Sequence, residues 1–137
     1  MCRKVFHIIP LFFGIAVLLC TLAGCQNTVN TGEEVTLRVG QSVQIEGKDL
    51  KITFVGISND SRCPTGATCV WAGEVSCDVE IRHGGKISFV KFVYPGAADG
   101  YSQLTYKGYT YSFKVEPYPE ADKAIPPGKY RLFLIVD

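Results

Sequence analysis

Histidine, tryptophan and an excess of either charge are what this sequence has least of. The 137-residue chain holds two histidines, one tryptophan and one methionine, and its 14 basic and 13 acidic side chains nearly cancel. That balance gives no basic face for nucleic acid and no acidic tail, so no nucleic-acid partner is expected. Beyond the front end the only histidine is His83, beside Gly84-Gly85, where it reads as a solvated turn residue. A Ser-His-Asp or Cys-His system needs an oriented base, so Ser61 has no evident activator. A zinc site needs more ligands than a C-x5-C pair and one histidine supply. A redox C-x-x-C, a phosphate-cradling glycine loop, paired catalytic carboxylates and an EF-hand run are also missing. No metal or cofactor is therefore expected, and an enzyme remains an alternative only with an unrecognised site on a loop. Helical periodicity is scarce as well: Glu120 to Ala124 is the one stretch suited to a helical turn.

An uninterrupted membrane span is missing too, although the chain starts apolar. Arg3 and Lys4 precede a run from Val5 to Leu22 that Pro10 breaks, leaving 12 residues before a small-residue site. A transmembrane helix needs about 20, so a cleaved signal is the better reading. The run ends in Leu22-Ala23-Gly24-Cys25, which resembles the lipobox of bacterial lipoproteins. That resemblance implies a signal peptide over residues 1–24 and a diacylglyceryl lipid on Cys25, which becomes the mature N-terminus. A pair of acyl chains on one residue suffices for stable anchoring, so the membrane is an expected partner. Gln26 after the lipidated cysteine resembles the outer-membrane sorting pattern of Gram-negative bacteria. Residues 25–34 are otherwise polar and read as a flexible tether. Without residues 1–24 the chain has 12 basic and 13 acidic side chains, a net charge of −1. Its length then suits one domain, residues 35–137.

From Val35 onward the dominant period is two. Val35–Val39, Gln41–Ile45 and Leu50–Ile57 alternate, with turns at Gly40 and Gly47-Lys48-Asp49. In the clearest half-buried strand, Val75, Cys77, Val79 and Ile81 face one way, and Glu74, Ser76, Asp78, Glu80 and Arg82 the other. His83-Gly84-Gly85 suits a tight hairpin into Lys86–Tyr94. Tyr109, Tyr111, Phe113 and Val115 share one face of the next strand, and Lys129–Val136, apolar on both faces, reads as a central strand. About seven to eight short strands separated by glycine and proline turns predict an all-β domain, an antiparallel sandwich or a small barrel.

The most informative segment is residues 59–74, "NDSRCPTGATCVWAGE". In an exported chain Cys63 and Cys69 are most simply a local bridge around turn-forming residues. Cys77, on the apolar side of its strand, reads as a buried thiol; otherwise it pairs with Cys63 or Cys69. Asp60-Ser61-Arg62-Cys63-Pro64, then Cys69, then Trp71-Ala72-Gly73, is similar to the signature of a largely uncharacterised family of small exported bacterial proteins and lipoproteins. The similarity spans roughly residues 40–136 and implies an envelope location but no reaction; Cys77 departs from the pattern. Trp71 is expected to pack on the disulfide, and Arg62 to pair with Asp60 or Glu74. Tyr101 and Tyr106, on a glycine-rich connection, are expected to be exposed and suited to binding an envelope protein, a peptide or a glycan. The leading expectation is a lipid-anchored, non-catalytic binding or structural module whose candidate contacts are Asp60, Ser61, Arg62, Trp71, Tyr101 and Tyr106. The alternative is a protease-inhibitor-like loop that presents an exposed Arg62.

Overall fold

The computed structural model describes residues 27–137, so Cys25 and the signal segment lie outside the described residues. Among the described residues nine strands form: β1 (Asn27–Val29), β2 (Val35–Arg38), β3 (Ser42–Ile45), β4 (Leu50–Asp60), β5 (Glu74–His83), β6 (Lys86–Pro95), β7 (Ser102–Tyr106), β8 (Tyr109–Glu116) and β9 (Arg131–Val136). They make two sheets, ordered β1-β3-β4-β5-β6 and β2-β9-β8-β7. The arrangement is an all-β sandwich, not a closed barrel. Every pairing is antiparallel except β1 with β3.

The period-two pattern explains which face each strand buries. In β5 the apolar set Val75, Cys77, Val79 and Ile81 is fully buried, while Asp78 and Glu80 stay partly accessible on the other face. The opposing sheet answers with Leu132, Leu134 and Val136 of β9 and with Tyr111, Phe113 and Val115 of β8. Phe92 of β6 joins the layers, its ring lying 4.6 Å from that of Phe113 and 5.5 Å from that of Tyr111. Such offset aromatic contacts add to the gain from apolar burial. Cys77 is buried and free, and burial first, then the neighbouring Asp78, pushes its thiol up to about 12.

Four expectations shift. Asn27–Val29, read as tether, lies beside β3 as an edge strand, because its backbone finds Val43–Ile45 as a ladder. Glu120–Ala124 forms no helix; the short 3-10 turn is Pro127–Lys129, where the proline suits the first turn. His83 closes β5 rather than standing free in the turn, and its ring meets Tyr109 edge-on at 5.5 Å. The strand β4 runs on to Asp60, with register shifts between Phe54 and Gly56 and between Ile57 and Asn59. The first sets Ile57 opposite buried Cys77, and the second returns Asp60 to the inner side, opposite Val75.

Candidate functional site

At the end of the sandwich where β4, β6 and β8 finish, three connections meet: residues 61–73, 96–101 and 117–130. The first continues the β4–β5 ladder before opening into a loop. Ser61 N–H donates to Glu74 O and Cys63 N–H to Ala72 O, each at 2.8 Å. Cys63 and Cys69 are bridged, with Cα atoms 5.9 Å apart. Gly73 has φ of +69°, and a Cβ there would stand 1.8 Å from Ser61 O. Only glycine fits that backbone approach, which gives the W-A-G glycine a steric reason. Gly96 is pressed in the same way, since its Cβ would meet Ala72 O at 2.2 Å.

Arg62 lies beneath this loop, with its side chain fully buried. Its Nε donates to one Asp60 carboxylate oxygen at 2.9 Å and its Nη2 to the other at 2.6 Å. Two further bonds reach backbone carbonyls of the other sheet, Val115 O in β8 at 3.2 Å and Pro117 O just past its end at 3.0 Å. The Tyr130 hydroxyl donates to Asp60 at 2.9 Å, and the Tyr118 ring covers the guanidinium at 5.1 Å. A buried ion pair holds only when its other donors and acceptors find partners, and here four of the five guanidinium N–H groups and both carboxylate oxygens do. Burial alone would raise the Asp60 carboxyl, but the hydrogen bonds and charge of Arg62, with Tyr130 added, outweigh it and hold the group below its ordinary value. The same proximity acts oppositely on Tyr130: burial, then the bond to Asp60, pushes its hydroxyl up to about 12.

This geometry overturns the inhibitor-like reading. A specificity residue must enter a protease pocket, whereas Arg62 is 3% exposed and tied on every side. Asp60 is likewise a structural partner, not a contact surface, and the Ser61 hydroxyl donates back to Glu74 O at 3.1 Å. Trp71 departs in the other direction. It does not plug the core but is 64% exposed beside fully exposed Val70. Tyr101 and Tyr106 are half-buried, not exposed, since five residues of that connection, Ser102–Tyr106, form strand β7 and Tyr106 sits in register with Tyr109. Tyr101 donates its hydroxyl to Glu34, and Tyr106 lies under the Lys107 ammonium at 5.2 Å. Two tyrosines of this cluster escaped sequence reasoning. Tyr118 donates to Cys63 O at 2.9 Å and is also within reach of Gly96 O at 3.1 Å, so it ties the three connections together. Neither role has a local signal in the sequence, because the partners are distant: Cys63 lies 55 residues from Tyr118 and Asp60 lies 70 from Tyr130.

No family profile, curated protein or solved structure matches this chain. Among the described residues no three His, Cys, Asp or Glu side chains converge as metal ligands. Two surface features stand out. One is apolar: Val70 and Trp71 on the loop tip, with Ile87, Phe89 and Val93 on the outer face of β6, Phe89 being 72% exposed. The other is an open, cleft-like cavity of about 410 Å³ between Pro117–Tyr118 and the segment Ile125–Arg131. Tyr118 belongs to both settings, lining the cavity while its hydroxyl holds the loop.

Proposed function

We propose that this chain is a lipid-anchored protein of the bacterial cell envelope that serves as a non-catalytic binding module. Its contact surface is the tip of the disulfide loop together with the outer face of β6. One observation carries the reading: Val70 and Trp71 project into solvent from a loop fixed underneath by the Cys63–Cys69 bridge and the buried Arg62–Asp60 pair. Exposed tryptophan on a rigid support is a contact residue by its chemistry, since binding then orders little that was mobile. The exposed apolar residues of β6 supply further surface of the kind that marks protein contact. The lipobox-like Leu22–Cys25 and the D-S-R-C-P and C-x-W-A-G resemblance support the envelope address, in the outer membrane if the source is Gram-negative. An envelope protein is the partner this apolar surface suits best, ahead of a peptide or a glycan.

The address and the contact surface are tested separately. In cells, Cys25→Ser should move the protein from the membrane fraction to the soluble one; an unchanged membrane fraction rules out the lipid. For the surface, a photo-crosslinking side chain placed at Trp71 or at Phe89 should yield a discrete adduct in the envelope. The same group at Lys48, in the exposed turn between β3 and β4, should yield none. Equal adducts from all three positions, or no adduct from any, would sink the contact-surface proposal.

A further inference from the structure

The cavity beside Tyr118 carries an inference that does not depend on the lipid anchor or on the loop tip. Its wall is apolar where Pro117, Tyr118, Ile125 and Pro126 meet, and its rim is ionic. The rim charges are unevenly matched. Glu116 is bridged by Lys114 at 3.3 Å and Glu120 by Lys123. Lys129 and Arg131 also line the cavity, and neither has a carboxylate partner among the described residues. Arg131 is held in place by its own backbone: Nη1 donates to Gly128 O at 3.0 Å and to Tyr130 O at 2.8 Å. That leaves Nε and Nη2 without an intramolecular acceptor among the described residues. The lining thus holds Lys123, Lys129 and Arg131 against Glu116 and Glu120, an excess of one cation in a folded part whose net charge is −1.

We infer that this cavity binds a small organic carboxylate, with an apolar body against Tyr118, Ile125 and the prolines and its carboxylate at Lys129 and Arg131. The volume lies in the range of small-molecule sites, and an apolar wall with a few placed charges is their usual make-up. Arginine's planar fork matches a carboxylate in two-point contact, while lysine adds a mobile point charge. The pocket wall is preorganised, because Tyr118 is fixed through Cys63 O and Gly96 O and by its stacking on Arg62. Such a site discriminates by charge, so a neutral isostere of the same shape binds more weakly.

The test uses the full chain in a nonionic detergent, with 2-naphthoate as probe and 2-naphthamide as its uncharged counterpart, followed by two-dimensional amide NMR. The naphthoate should produce saturable shifts centred on Tyr118, Ile125, Lys129 and Arg131, with the amide about tenfold weaker. Lys129→Glu, at an exposed position outside the core, should leave the remaining spectrum unchanged and weaken naphthoate by about tenfold. Lys129→Gln should fall between the two. Equal affinity for acid and amide, undiminished binding by the Glu variant, shifts centred on Trp71 or Phe89, or no saturable shift would each overturn the inference.

Discussion

Arg62 shows how much one side chain depends on where its partners stand. Its guanidinium satisfies the Asp60 carboxylate and the carbonyls of Val115 and Pro117. Arg62→Ala strands all of these inside the fold, and breaking a buried pair from one side typically costs about 3–5 kcal/mol. Denaturant unfolding should therefore show a loss of that order, and Arg62→Lys should not restore it, because a point charge cannot span both carboxylate oxygens. Tyr111 makes the opposite case. Its ring is fully buried against Phe92, yet its hydroxyl has no partner among the described residues, and burial pushes the hydroxyl's pKa up to about 12. Removing that hydroxyl removes a desolvated polar group without opening a cavity, so Tyr111→Phe should be neutral or stabilising by up to about 1 kcal/mol. A clear fall in the unfolding midpoint would contradict this account of the site. The two residues also differ in legibility. Tyr111 lies on an alternating apolar face and was readable as core, whereas nothing adjacent to Arg62 announces that a charge will be buried.

Among the elements, the loop from Ser61 to Gly73 is held by two independent devices. The disulfide closes a short segment, for which chain entropy predicts about 2 kcal/mol. The second device is the bonding of Arg62, Tyr118 and Thr65 to distant backbone, including Thr65 N–H to Pro119 O at 3.0 Å. Replacing both Cys63 and Cys69 by serine should therefore lower stability by no more than about 2 kcal/mol and leave the sandwich folded. Amide exchange should speed up over residues 64–70 while β4 and β5 stay protected; loss of protection across β5 would mean the bridge supports the whole sheet. Most strands were legible because alternation and glycine turns are local: β5 and β6 begin and end within a residue or two of their expected limits. The end of β4 was not, since its register shifts are set by β5 across the sheet. The tyrosine-rich segment was misjudged for a related reason. Its glycines sit at turns, at Gly100 and Gly108, while the stretch between them pairs with β8.

At the scale of the whole molecule, the two sheets are tied together at one end by the cluster centred on Asp60, and that tie is sensitive to acid. An unfolded aspartate takes up its proton near 3.8, whereas the native Asp60, held low by Arg62 and Tyr130, resists to lower pH. Its contribution is thus complete above 3.8 and is lost as pH falls from there through the native value. The stability gap between the natural chain and Asp60→Asn should be widest at neutral pH and should close progressively below 3.8 in denaturant titrations. A gap that stays constant through acid would show that Asp60 acts by shape alone. Sequence by itself determined that the chain is all-β, which strand faces are apolar and where several of the turns fall, because side-chain sidedness and turn chemistry depend on near neighbours. It also marked the cysteine loop as the place of interest. Only the tertiary structure decided for two sheets over a barrel, placing β2 beside β9 although they stand at opposite ends of the domain. It also left Trp71 outward and turned Arg62 inward, since a charge can be buried only where distant backbone and hydroxyl partners converge.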